Sequence, residues 1–529
     1  MKKIYSKKSF LIIFLFFYFI IGSFYSLNTG LSFDEMMEQK NWEYNVDLVQ
    51  HILFGSELNP SHINYGSRYY GIGFQIFSQP IQFFIEDIIL KFQDINIYGA
   101  HLVAKHFVVF IFFFISGIFV YLITSKIIKN IFFCSIATIL YLFYPYLLGH
   151  GLFNPKDIPF LTIWIACTYV SINIFTKLSN QIYLKYKDII LISFLSAFLL
   201  SIRVAGILIF IQYFFTLVLF LNIEKLNFIT FFRNNYKKFF TFFLVTIFLT
   251  YLFYPTFWKN PFLFIDAINS MSRYYNDVCT LTLGKCIFSK NIDPVYIPIW
   301  LSVKLPVIIL IGLILLPFTE KKIFSDKESN ITFGTLLFSS LFIPIILIVG
   351  RVHLYDEIRQ ILFLVPLFFI LGVVSFHYFS KKIFYILSFF TLLIFLIENV
   401  TIYPYQYVWF NTPSRLLNLS KNFELDYWGL SGRNLARNIS KINKKVLPKP
   451  CILLTPSWLV TPFLDDKLYK CFGFWGEIDS DYPRPFLAIQ NIRNLKKGKS
   501  YKCESIYESK FNFLFSNEDI ITGRLLKCY

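Results

Sequence analysis

Runs of about twenty apolar residues recur along most of the first 400 positions, each long enough for a helix to cross a hydrocarbon layer about 30 Å thick. Lipid offers a bare peptide group no hydrogen-bond partner, so such runs are expected to be helices; the alternation of a membrane β-barrel is not seen. The make-up of the chain agrees, with 56% hydrophobic and 16% charged residues and 67 Phe among 529 positions, outside the usual range of soluble domains. Polar interruptions divide the runs into candidate spans at 9–27, 102–124, 131–149, 158–176, 188–202, 205–222, 239–257, 297–317, 331–350, 360–379 and 384–402. The expected fold is an all-α polytopic membrane protein of about eleven transmembrane helices.

A formal charge of +18 would suit nucleic acid or an anionic membrane, and its location decides between them. With the N-terminus cytoplasmic, the inner segments hold Lys2, Lys3, Lys7, Lys8, Lys126, Lys129, Lys177, Lys185, Lys187 and further cations, whereas the short outer turns hold only Lys156, Arg203 and Arg351. The positive-inside rule accounts for this asymmetry, so the charge is topological and no nucleic-acid partner is expected. The first run lacks a small-x-small cleavage site and reads as a retained helix. An odd number of spans then leaves 403–529 outside a multi-pass protein of the inner (plasma) membrane. Cys134 and Cys167 fall in spans, while Cys279, Cys286, Cys451, Cys471, Cys503 and Cys528 fall on the outer side, a set compatible with disulfides of unassigned pairing.

Two domains follow: a membrane domain over 1–402 and an extracytoplasmic domain over 403–529. Two outer segments of the first, 28–101 and 258–296, exceed simple turns. In the larger, "WEYNVDLVQHILFG" and "SQPIQFFIEDIILKFQD" mix apolar and acidic residues at helical spacing, as helices at a membrane interface do. The tail reads as short strands and helices between Pro, Asn and Lys turns, giving a small α/β domain.

Charged residues gather at one end of the spans. Asp34 and Glu35 follow the first; Lys105 and His106 enter the second; Asp157 lies in "NPKDIPF"; Arg203 interrupts an apolar stretch in "SIRVAG"; and Arg351, His353 and Arg359 lie in "GRVHLYDEIRQ". Ionisable groups near membrane depth tend to face a bundle interior or a water-filled cavity. A carboxylate beside an acceptor hydroxyl can take its proton, and Arg, Lys and His opposite can hold a phosphate leaving group, with Arg offering forked donors. Each residue also has a structural alternative. Asp34 with Glu35, and Asp157, can cap helices, Arg203 can snorkel to the interface, and the 351–359 cluster can be a self-neutralising turn.

The doublet after the first span, "NPKDIPF", "RVHLYDEIRQILFLVPL", "YPYQYVWFN" and "ELDYWGLSGRNLA" resemble, in this order, bacterial relatives of the dolichyl-phosphate-mannose-protein mannosyltransferases, membrane glycosyltransferases of the GT-C type, family 39. The resemblance implies a GT-C fold and a mannosyltransferase-like hexosyl transfer from a polyprenyl-phosphate-sugar donor, with membrane lipids as surroundings and the acceptor unassigned. It implies Asp34 as catalytic base with Glu35 assisting. Arg203, Arg351, His353 and Arg359, with Lys105, His106 and Asp157, are implied to bind the lipid phosphate or substrate. Some GT-C enzymes hold a divalent metal in the loop that Asp157 occupies here, but no Asp-x-Asp pair is present and no cofactor is called for. The tail matches no motif of the eukaryotic protein mannosyltransferases. Two other classes stay open: a transporter or flippase of lipid-linked sugars, and a non-enzymatic envelope assembly protein.

Overall fold

The computed structural model describes residues 2–59, 69–273, 277–439, 451–464, 471–473, 485–491 and 503–529. Each apolar run is mainly helical, and several helices begin where a short polar side chain can satisfy free N–H groups. Asn96, Asn130, Asn227 and Asp326 each accept from N–H groups two or three residues ahead. The chain is a multi-pass membrane protein, but the count of eleven spans is not confirmed. Among the described residues, six helices are long and apolar enough to cross, or seven if Ile131–Phe143 and Pro145–Gly151, bent by 64°, make one span.

The remaining runs depart from a simple crossing for visible reasons. Run 297–317 breaks before Pro306, where Tyr296–Lys304 gives way to Val307–Ile314. Helix Phe228–Leu252 carries Arg233, Lys237 and Lys238 in its first half, and Tyr186–Ile202 has only 17 residues. Of the first helix, the described apolar part is the short stretch Leu11–Leu27.

The span Arg359–Phe379 lies at the centre, with 94% of its apolar window buried, whereas only 22% of Lys381–Thr401 is, so the latter turns most of its surface to lipid. Helices Val307–Ile314 and Val365–Phe379 cross backbone to backbone, because a Cβ on Gly312 would stand 1.9 Å from the Gly372 carbonyl oxygen.

The large outer segment folds as expected into two helices, Glu35–Phe54 and Gly73–Phe92; part of the Gly- and Tyr-rich bend between them lies outside the described residues. Segment 258–296 contains a hairpin of β1 (Cys279–Thr282) and β2 (Lys285–Phe288), closed by the Cys279–Cys286 disulfide. The tail carries β3 (Cys451–Leu453), β4 (Cys471–Gly473), β5 (Phe486–Asn491), β6 (Cys503–Asn512) and β7 (Asp519–Cys528). They form one sheet in the order β4-β3-β5-β7-β6, parallel across β4-β3-β5 and antiparallel beyond. A second disulfide joins Cys503 to Cys528, Cys451 is also disulfide-bonded, and Cys134 and Cys167 are free and buried.

The tail is fastened to the helices by buried polar contacts. Arg433 donates to the carbonyls of Leu27 and Thr29 at 3.0 and 3.1 Å and to Gln93 Oε1 at 2.7 Å, fixing the start of the first outer segment. Arg415 pairs with Glu398 inside the protein and donates to the Leu514 carbonyl at 2.7 Å, while Trp409 Nε1 donates to Glu398 at 2.5 Å. Glu398→Ala leaves the Arg415 charge buried without its partner and is expected to cost about 3–5 kcal/mol. That cost should appear as a lower unfolding midpoint of the detergent-purified protein, partly restored by Glu398→Ala with Arg415→Met; an unchanged midpoint would contradict this account of the joint.

Candidate active site

The acidic doublet divides in the structure. Asp34 occupies the N-cap position of Glu35–Phe54 but makes no side-chain cap hydrogen bond, so capping does not explain it. Its carboxylate pairs instead with the Arg359 guanidinium and keeps 30% of its side chain exposed. Glu35 is fully enclosed: one oxygen accepts from the Ser32 N–H at 2.7 Å and the other faces His106 Nε2 at 2.8 Å. His106 Nδ1 lies 3.1 Å from the Ser26 carbonyl, so Glu35 and His106 hold the turn that presents Asp34.

Arg359 is the hub. Besides Asp34 it pairs with Asp356 at 3.1 Å and Asp157 at 3.4 Å, and its guanidinium lies 4.2 Å from the Trp428 ring centroid. Arg203 pairs with the other oxygen of Asp157. It stands where helix Tyr186–Ile202 ends, its own backbone extended (φ −147°), so the polar break in "SIRVAG" frees a cation for the site. Asp157 is oriented by Asn154, whose side chain donates to it at 2.8 Å and accepts from its N–H at 2.9 Å.

A third cation, Lys156, pairs with Glu38 at 2.6 Å and sits 3.8 Å from the Tyr70 ring centroid. Gln75 donates to Glu38 at 3.0 Å, tying the two outer helices together. Below them Lys105 is buried and reaches Gln39 Oε1 at 3.3 Å, which places it beneath the cluster and apart from Asp34.

The segment leading to Arg359 is held in an unfavourable shape. Asp356 and Glu357 take left-handed backbone angles (φ +54° and +66°), a cost of roughly 1–3 kcal/mol each for residues that are not glycine. Their surroundings enforce it. The Asp356 N–H donates to Thr280 Oγ1 of β1 at 2.9 Å, and Glu357 pairs at 2.8 Å with Lys304, both fully buried. Tyr296 donates to the Glu357 carbonyl at 3.0 Å.

The two acids of this region are set apart electrostatically. Burial alone would raise the Asp34 carboxyl, but Arg359, then Lys156 and Arg203, hold it below the ordinary value of 3.8. Burial pushes Glu357 up to about 8 against the pull of Lys304. Lys156 behaves as a paired cation: burial would lower it, and Glu38, Tyr70 and Asp34 hold it above its usual value. Asp34 is thus the partly exposed, ionised acid, able to accept a proton or face a cationic centre.

The structure brings together Asp34, Asp157, Arg203 and Arg359 of the residues singled out in the sequence, with Glu35, His106 and Lys105 packed behind them. Arg351 and His353 are placed elsewhere. Arg351 is exposed and lines a separate cavity, and the His353 N–H donates to the Ser272 carbonyl at 3.1 Å. Sequence reasoning weighed Lys156 beside Asp157 without committing to it, and left out Glu38, Tyr70 and Trp428. Trp428 sits in "ELDYWGLSGRNLA", which was readable as a packing segment and serves as one. Among the described residues no three His, Cys, Asp or Glu side chains are grouped to hold a metal ion, and Asp34 and Asp157 are engaged by guanidinium groups.

No family model and no curated protein matches the chain. Among solved structures, it is similar to ArnT from Cupriavidus metallidurans in the apo state, with a TM-score of 0.46 and 10% identity over 98% of both chains. It is similar too to the same protein bound to undecaprenyl phosphate, with a TM-score of 0.45 and 9% identity over 98% of this chain and 97% of that one. At such scores the likeness is too loose to argue from.

The depressed Asp34 carboxyl gives a pH test with a definite sign. A group whose folded pKa is lowered contributes stability above its unfolded value and loses it as pH falls through the folded one. Wild type should therefore be more stable than Asp34→Asn above the ordinary carboxylate range, and the gap should close on acidification below it. Thermal unfolding of both proteins against pH measures this; a gap that widens in acid would contradict the pairing.

Proposed function

We propose that this protein is a GT-C-type glycosyltransferase that moves a sugar from a polyprenyl-phosphate-linked donor to a hydroxyl of a lipid, glycan or protein acceptor, at the outer face of the inner membrane. One observation carries the reading. An ionised, partly exposed carboxylate from the first outer segment pairs with Arg359 and lies within electrostatic reach of Arg203 and Lys156, three cations from three other segments at the ends of apolar helices. The ordered motifs that resemble family 39 support the same reaction class, and the positive-inside asymmetry supports an extracytoplasmic site.

The residues divide the work as follows. Paired with Arg359, Asp34 is a weak base. A donor phosphate that engages Arg359 and Arg203 draws away the cation that depresses Asp34 and raises its basicity as the acceptor arrives. Asp34 takes the acceptor proton while that oxygen attacks the anomeric carbon from the face opposite the phosphate, inverting the centre. The bond from anomeric carbon to phosphate oxygen breaks, and polyprenyl phosphate leaves with the electron pair, held by Arg203, Arg359 and Lys156. Glu35 and His106 position the turn and do not touch the reacting atoms.

The test uses purified protein, a labelled polyprenyl-phosphate hexose and an envelope fraction as the source of acceptors. Asp34→Asn should lower transfer roughly 10²- to 10⁴-fold while donor affinity stays within a few-fold. Arg359→Met should weaken donor binding itself. Transfer at the wild-type rate by Asp34→Asn would remove Asp34 as the base.

A further inference from the structure

A cavity of about 330 Å³ lies apart from the Asp34 cluster, between the turn that follows β2 and the end of helix Lys327–Val349. Its walls combine two cations, Lys290 and Arg351, with apolar Leu347, Ile348, Val352 and Leu354. Both cations are exposed, and among the described residues neither forms an ion pair. The neighbouring acid, Asp277, accepts from the Lys290 backbone N–H at 3.2 Å and from the Ser289 hydroxyl at 3.4 Å. Arg351 holds a left-handed φ of +49°, an unfavourable shape for a residue with a side chain, two residues beyond the helix and next to its Gly350 cap.

The helix whose last turn lines this cavity is one of those apolar and long enough to cross a membrane, so the cavity opens at the level of lipid head groups. A small soluble anion would use the two cations and leave the apolar walls without a partner. A phosphodiester carrying glycerol and acyl chains uses both kinds of wall. We propose that this cavity binds the phosphate of an anionic phospholipid, with Lys290 and Arg351 as counter-ions and Leu347, Ile348, Val352 and Leu354 against the upper acyl chain. The site is separate from the donor site and stands whether or not the protein transfers sugar. It adjoins the catalytic segment nonetheless, since Leu354 lines the cavity and Asp356, two residues on, pairs with Arg359.

The test places the full-length protein in nanodiscs of phosphatidylcholine containing a trace of photoactivatable phosphatidylglycerol, its diazirine in the upper acyl chain, and maps labelled peptides by mass spectrometry. Labelling should concentrate on residues 289–292 and 347–354. It should fall about tenfold or more in Lys290→Ala with Arg351→Ala, as expected from the loss of the two basic residues that face an anionic head group. The charge-preserving exchange, Lys290→Arg with Arg351→Lys, should retain it, and excess inorganic phosphate should not displace it. Equal labelling by a phosphatidylcholine analogue, undiminished labelling of the double alanine variant, or loss in the charge-preserving exchange would overturn the proposal. Displacement by inorganic phosphate would overturn it too, in favour of a free-anion site.

Discussion

The polar end of the helix bundle is organised around one guanidinium. Arg359 is nearly enclosed, and a buried cation without carboxylates around it costs several kcal/mol. Asp34, Asp157 and Asp356 supply them, and each belongs to a different part of the chain or a different turn of it. A planar fork with five donors can satisfy several carboxylates at fixed angles where an ammonium could not. Satisfying Arg359 therefore fixes the first outer segment, the turn before helix Asp157–Ser179 and the 351–359 loop relative to one another. The tail joins the same arrangement, because Trp428 covers the guanidinium and the Trp428 carbonyl accepts from the Phe33 N–H at 3.1 Å, next to Asp34.

Behind that hub lie supports that hold strain and charge in place. The left-handed angles at Asp356 and Glu357 persist because β1 holds one residue and Lys304 the other. The break before Pro306 ends helix Tyr296–Lys304 at Lys304, which reaches both Glu357 and the Val408 carbonyl at 3.2 Å. A helix interruption that spoils a simple membrane crossing thus supplies the cation that stabilises the 351–359 loop. Glu35 and His106 serve the other side in the same way.

Much of this was legible in the chain. The apolar runs were readable as helices because lipid leaves no alternative. The two outer helices were readable from their spacing, the tail strands from their punctuation, and the gathering of charges from topology. Choosing among the charges was not. Arg351 and Arg359 share a motif and a residue type, and only the positive-φ path of the loop between them sends one inward and leaves the other at a surface cavity. Asp34 and Glu35 are adjacent, yet the helix that starts between them buries one and leaves the other partly exposed. The count of eleven spans is not confirmed: among the described residues six or seven helices have crossing length, and runs such as 297–317 and 239–257 are interrupted by Pro306 or preceded in the same helix by Arg233, Lys237 and Lys238. Glu38 and Tyr70 carry no local signal, and Trp428 was legible only as part of a packing segment; their places at the site come from partners far away in sequence.

The central claim is that Arg359, Arg203 and Lys156 hold a lipid phosphate opposite Asp34. Cryo-electron microscopy of the full-length protein in nanodiscs with polyprenyl phosphate tests it most directly. The account predicts phosphate density within hydrogen-bond distance of Arg359 and Arg203, with the Asp34 carboxylate turned from its pairing with Arg359 towards the site of transfer. Phosphate density seated away from all three cations, with the Asp34–Arg359 pair undisturbed, would contradict it.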